Sequence, residues 1–246
     1  MSRRLVLFDV DGTLIRRGDP AHLAAIDHAL HAVVPAASGV SIHQVDFDGK
    51  VDRQLFGMLL ARAGLGTDVP EATYGALFTA ADDDYRAAWG DRLGADDLLP
   101  GVRELLDRLR EDGCFALGVM TGGLRGIVER KLARLGLSGD LPVGAFGDEV
   151  DRRAALLPLA VARAAAFYRR DFPPGDVVVV GDTPHDVDCA HAGGAAALGV
   201  ATGRFTVAEL RAAGADAVVE SLVDAGRIVT LLLSVGATAG PHRAQA

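Results

Sequence analysis

Five short runs along the chain are apolar almost without a break: Leu5–Phe8, Phe115–Met120, Val177–Val180, Ala196–Val200 and, more weakly, Val218–Val219. Runs of this length that do not alternate suit strands buried on both faces of a parallel sheet. Between them, apolar residues recur at helical spacing over Val102–Glu111, Leu124–Leu135, Ala155–Tyr168, His185–Ala192 and Val207–Ala213. Strand and helix in this alternation predict an α/β fold, a doubly wound and mostly parallel sheet.

Residues 16–98 break that rhythm. They carry three helical patterns, Pro20–Val34, Arg53–Arg62 and Pro70–Trp89, joined by Gly-rich turns. This stretch reads as a helical insert between the first strand and the rest of the sheet, with Pro100-Gly101 marking the return. The expected division is a core of residues 1–15 and 99–234 and an insert of residues 16–98. The Gly/Ala-rich residues 235–246 read as a frayed tail. No internal repeat is present.

Composition narrows the functional classes. Half of the 246 residues are hydrophobic, enough for a sizeable core. The formal net charge of −8 argues against nucleic acid or an anionic membrane as the main partner. Cys114 and Cys189 lie far apart, in neither a disulfide framework nor a zinc spacing, so the reducing cytoplasm is the expected compartment. The apolar run behind Arg3 and Arg4 is broken at once by Asp9, which does not suit a signal peptide or a membrane span. The run at Thr230–Leu233 is too short to cross a bilayer.

Ligands of open α/β sheets bind beyond the carboxyl ends of the strands. The first predicted strand ends in Asp9, with Asp11 two residues on. The second ends in Thr121, followed by Gly122 and Gly123. The strand Val177–Val180 runs into Gly181-Asp182-Thr183-Pro184-His185-Asp186. Three strand ends thus deliver Asp, Asp, Thr and Asp to one crevice. A carboxylate there can attack a phosphoryl group and split one displacement into two. A second acid can protonate the leaving alcohol and then deprotonate water. Two anions facing a phosphate need a cation, and a hard Mg²⁺ suits carboxylate and carbonyl oxygens.

DVDGT at Asp9–Thr13, the strand-ending Thr121 and GDTPHD at Gly181–Asp186 resemble three of the four motifs of the haloacid dehalogenase-like hydrolases. Order and spacing match from about Leu5 to Leu233. The insert sits where that family carries a helical cap, and the branch it most resembles is the phosphoglycolate phosphatases. The resemblance implies a Rossmann-like core and a Mg²⁺-dependent hydrolase acting on a small phosphorylated metabolite, as a monomer or homodimer. It makes Asp9 the nucleophile, Asp11 the proton shuttle and Thr121 a phosphate ligand, helped by amides at the following helix start. Metal ligation falls to Asp9, the Asp11 carbonyl and Asp182, with Asp186 in or next to the set.

The fourth motif is usually a lysine, and here the chain departs. Its only lysines are Lys50, in the insert, and Lys131, which reads as part of a solvated helix face. The expected window instead holds Asp151-Arg152-Arg153. A basic pair at a helix start opposes the macrodipole and implies an anion to bind. Some branches of the family use Arg at this place. Arg152, directly after the expected cap residue Asp151, is the favoured replacement, with Arg153 beside it. Arginine keeps its charge and offers bidentate donors to phosphate.

Several residues also have plainer readings. Asp186 suits the third position of a helix begun by Thr183 and Pro184, and Thr121 suits the cap of the helix after it. Gly12 suits a turn with positive φ. His28 and His31 lack a third ligand and read as surface; His185 reads as solvent-facing, and Arg16-Arg17 as a linker edge. In Phe47–Asp52, Lys50 is placed to meet a distal anion of the substrate, while Asp52 suits the N-cap of the next helix.

Dehalogenase and phosphonatase chemistry fit less well, because those branches lack an acid at the Asp11 position. A sugar phosphomutase of the β-phosphoglucomutase kind shares both aspartates and stays open as an alternative. A catalytically idle binding module is the rival of another class, and only the missing lysine speaks for it.

Overall fold

The computed structural model describes residues 4–66, 68–88 and 94–236. Its six-stranded sheet is parallel throughout, in the order β3-β2-β1-β4-β5-β6. The strands are β1 (Arg4–Phe8), β2 (Phe115–Met120), β3 (Gly144–Ala145), β4 (Val177–Gly181), β5 (Ala196–Val200) and β6 (Ala217–Val219). Five follow from the apolar runs. The two-residue β3 does not, since Gly-Ala carries no strand signal; it forms only because Val119 and Met120 offer it a partner.

Side chains alternate between the faces of a strand, so β1 and β4 serve two cores. Leu5, Leu7, Val177 and Val179 pack with Leu156, Leu157, Ala160 and Ala164 of α6 (Leu156–Tyr168) and Val187 of α7 (Pro184–Ala192). Val6, Phe8, Val178 and Val180 face the other way. They pack with α4 (Val102–Asp112), with Val128 and Leu132 of α5 (Arg125–Arg134), and with Ile228 and Leu232 of α9 (Ala225–Ser234). The sheet is therefore wound on both faces. The short α8 (Val207–Ala212) leads into β6.

Residues 20–88 contain α1 (Pro20–Val33), α2 (Asp52–Arg62) and α3 (Glu71–Ala88). The expected end of the third helix, Trp89, lies outside the described residues. These helices close a core of their own around Ile26, Leu30, Phe56, Leu59, Leu77 and Tyr85, joined by Ile127 of α5 and by Leu124 at its cap. Helix α5 thus faces the sheet with one stripe and the insert with another.

The chain end is held further than its composition suggests. Buried Arg4 donates to the carbonyls of Leu232, Val235 and Gly175, and Val235 is itself buried. A tail beginning at 235 is corrected to that extent; residues 237–246 lie outside the described residues. Among the described residues, no helix is long and apolar enough to cross a membrane.

Candidate active site

Strand order reverses between β1 and β4, and the crevice beyond their carboxyl ends is where such sheets take ligands. The two strands stay paired to their ends, where the Asp9 amide donates to the Val180 carbonyl at 2.8 Å. Asp9 and Asp182 thereby leave the sheet side by side, and Asp186 arrives from the first turn of α7. That turn is fixed by a reciprocal box: Thr183 Oγ1 accepts from the Asp186 amide, and the Asp186 carboxylate accepts from the Thr183 amide. The helix-start reading of Asp186 holds, and its second oxygen is left facing the crevice.

Oxygens of Asp9, Asp182 and Asp186 all lie within 4.8 Å of one another, and all three residues are buried. Burial, reinforced by Asp186, drives the Asp9 carboxyl well above the usual carboxylate range. The same causes push Asp182 up to about 7. Arg153 is the counter-charge: it donates to Asp9 Oδ1 at 3.1 Å and to Asp186. Although burial opposes its charge, Asp186 and Asp9 keep its guanidinium firmly protonated.

Three acids against one arginine leave room for a cation, and the donor set suits a hard one. Asp182 Oδ2 is buried without a hydrogen-bond partner, which is costly unless something positive meets it. Thr13 Oγ1 donates to the carboxylate's other oxygen at 3.4 Å, and bare backbone approaches it on two sides. Gly12, at φ +99°, and Gly203 are both so close that a Cβ on either would strike Asp182. The residues present therefore fit Mg²⁺.

The raised Asp182 carboxyl makes a prediction with a definite sign. The folded protein holds a proton that the unfolded chain releases, so metal-free stability falls as pH rises from about 4 to about 7. Asp182→Asn removes this cost. Its metal-free melting temperature at about pH 8 should exceed wild type by roughly 2–4 °C per kcal/mol relieved. The rise that Mg²⁺ produces in wild type should vanish in the variant, as read by calorimetry.

The cleft beside this cluster has a volume of about 250 Å³ and is lined by Asp9, Asp11, Thr121, Gly122, Gly123, Lys50 and Arg153, among others. That is room for a small metabolite. Buried Thr121 closes β2; its hydroxyl accepts from the Gly123 amide at 3.3 Å and does not cap α5. Asp11 stands at the rim and pairs with Lys131. The insert is tied to this floor: the Asp52 amide donates to the Gly122 carbonyl, and the Arg53 amide to that of Gly147.

Three expectations need correction. Arg153, not Arg152, reaches the acids. The helix does not begin at Asp151; a 3-10 turn, Arg153–Ala155, precedes α6, and Arg152 before it is extended at φ −154°. Successive side chains on extended backbone point opposite ways, so Arg153 enters the cleft while Arg152 is exposed. Asp151 instead accepts from Arg53.

Lys131 is not on a solvated face: it is fully buried. It lies four residues after Ile127 and seven after Leu124, on the stripe of α5 that meets the insert. A lysine at an apolar position of a helical pattern was the available signal. Asp52, finally, does not cap its own helix. Its carboxylate accepts from the Leu124 amide at 2.7 Å, at the start of α5, and meets His22 Nε2 at 2.6 Å.

The remaining candidates fall as follows. Lys50 lines the cleft, and a Cβ on Gly49 would strike the His185 ring, so His185 lies under the insert loop. Arg17 and Arg204 both donate to Asp48 of that loop. His28 pairs with Asp84 and His31 with the Val40 carbonyl, so neither belongs to the site.

Residues 3–194 match the family model for haloacid dehalogenase-like hydrolases. A phosphoglycolate phosphatase of Vibrio parahaemolyticus is 27% identical over 233 residues, 93% of this chain and 96% of that protein. The phosphoserine phosphatase SerB2 of Mycobacterium tuberculosis is 29% identical over 210 residues; the match takes in 81% of this chain but 44% of that longer protein. Among solved structures, a β-phosphoglucomutase of Clostridium difficile superimposes with a TM-score of 0.67 at 16% identity, covering 94% of this chain and 97% of its own. A hydrolase of Pseudomonas syringae gives 0.65 at 21%, covering 93% and 99%. At such identities the structural likeness speaks for the fold alone.

Proposed function

The chain belongs to the haloacid dehalogenase-like hydrolases, and we propose that it is a Mg²⁺-dependent phosphatase hydrolysing a small phosphomonoester through an aspartyl-phosphate on Asp9. The observation that carries this reading is the buried Asp9 carboxylate, held by Arg153 beside Asp182 and Asp186, with Asp11 two residues on in the same cleft.

In the first step a carboxylate oxygen of Asp9 forms a bond to phosphorus while the bond to the ester oxygen breaks. Asp11 gives its proton to that oxygen, and the alcohol leaves. In the second step Asp11 takes a proton from water, whose oxygen attacks phosphorus. Inorganic phosphate forms and Asp9 is regenerated. The Thr121 hydroxyl, itself held by the Gly123 amide, and the Gly122 amide are the donors for the non-bridging oxygens. Arg153 offsets negative charge as nucleophile and phosphate approach.

Mg²⁺ held by Asp9, the Asp11 carbonyl and Asp182, with Asp186 beside them, would supply Lewis-acid charge neutralisation for the phosphoryl oxygens. Residues 16–98 serve as the cap. Its loop at Asp48, fastened to Arg17 and Arg204, covers the cleft and excludes water, and Lys50 is placed to meet an anionic leaving group. Cys114 and Cys189 are not joined in a disulfide, which suits the reducing cytoplasm.

The test is phosphate release from a panel of small phosphomonoesters, phosphoglycolate included, with Mg²⁺ and with a chelator. Release that needs Mg²⁺ is the expected result; a silent panel overturns the reading. The same samples assayed for isomerisation of a hexose 1-phosphate decide against the phosphomutase alternative if no isomer forms.

A further inference from the structure

Lys131 is the least expected charge in the molecule. Its side chain is fully excluded from solvent, 120 residues from its main partner in sequence. Burying an ammonium costs several kcal/mol unless its hydrogens are matched. An apolar side chain would have continued the Leu124–Ile127 stripe at no such cost. The charge therefore calls for an explanation beyond packing.

All three ammonium hydrogens have acceptors. Nζ lies 2.8 Å from Asp11 Oδ1 and 3.2 Å from Asp11 Oδ2. The third acceptor is Asp19 Oδ2, at 3.1 Å. Asp19 is fixed in turn, because Oδ2 also accepts from the Tyr85 hydroxyl at 2.9 Å and Oδ1 from the Ala21 amide at 3.0 Å. Burial opposes the charges of both Lys131 and Asp19, yet each is held ionised by its partners. The ammonium is thus pinned from α5 on one side and from the start of the insert on the other. Asp11, by contrast, is partly exposed, and without a partner would be free to turn.

We propose that Lys131 is a positioning residue for Asp11, its ammonium fixing the carboxylate at the cleft rim in the orientation that proton transfer to the leaving group requires. The inference rests on reading Asp11 as the proton shuttle. Proton transfer needs hydrogen-bond geometry, and small misplacements of a reacting group are costly. A structural tie between core and insert would affect every substrate alike. A residue that positions the acid affects substrates according to how much they need a proton.

The test compares kcat/KM, which reports the steps through first phosphoryl transfer, for phenyl phosphate and dinitrophenyl phosphate. Phenolate must be protonated as it leaves; dinitrophenolate need not be. In Lys131→Met the ratio of phenyl to dinitrophenyl kcat/KM should fall by about tenfold to a hundredfold. Lys131→Arg, which keeps a cation there, should restore part of it.

Because Lys131→Met strands the half-buried Asp19 charge, a second pair is measured: Asp19→Asn, which keeps the α1 cap, and Asp19→Asn/Lys131→Met. The ratio should fall between these two by the same factor. Equal losses on both esters, or an unchanged ratio, overturn the inference while leaving the phosphatase reading intact. A wild-type protein that turns over neither ester overturns both.

Discussion

Asp9→Asn is expected to lower kcat for an aryl phosphate by roughly four orders of magnitude or more while the protein remains folded. The amide has the shape of the carboxylate but no nucleophilic oxygen, so no bond to phosphorus forms. Its effect on stability should run the other way. Asp9 is buried against Asp186 and Asp182, and burial with their charges makes its ionised form costly. A neutral side chain relieves that repulsion, so the metal-free variant should melt at or above the wild-type temperature at about pH 8. Steady-state kinetics with a thermal melt checks both halves. Retained activity places the nucleophile elsewhere; a collapsed melt makes Asp9 structural.

Arg153→Ala should cost both activity and stability, and Arg152→Ala neither. Arg153 is 11% exposed and bonds Asp9 and Asp186. Removing it strips buried Asp9 and Asp186 of the guanidinium that bonds them, a loss of about 3–5 kcal/mol in the metal-free protein. The loss should shrink as pH is lowered, because Asp9 and Asp182, already displaced upward, then take up protons. Denaturant unfolding at about pH 8 and about pH 5 reads this directly. With Mg²⁺ present, the missing donor at the phosphoryl group should lower kcat/KM by about 10²–10³-fold. Arg152 is exposed, and its replacement should stay within about 0.5 kcal/mol. The reverse result for the two arginines would restore the assignment suggested by sequence position.

Residues one apart in sequence separate so sharply because of backbone local to them. Asp151 suits an N-cap, and a helix begun there would give Arg152 its first turn. The 3-10 turn starting at Arg153 moves the cap position from Asp151 to Arg152, one residue on, and reverses which arginine faces the cleft. Asp52 shows the same limit. It stands before a helical pattern like a cap, yet its carboxylate serves the Leu124 amide of another helix. Both acids suit a cap by sequence, yet Asp52 caps a different helix and Asp151 meets the Arg53 side chain and caps none.

What the chain dictates by itself is what short spacing controls. Apolar runs of four to six residues between helical repeats specify strands buried on both faces, and right-handed crossovers follow from chirality. The acids that end those strands must then share one edge of the sheet, which is why Asp9 and Asp182 could be read as partners. Only the tertiary structure decided which cations meet them. Arg153 and Asp9 are 144 residues apart, and Lys131 and Asp11 are 120 apart. No periodicity spans such distances. Burial selects the pairs, because an acid removed from water must find a positive charge among the groups that packing brings within reach.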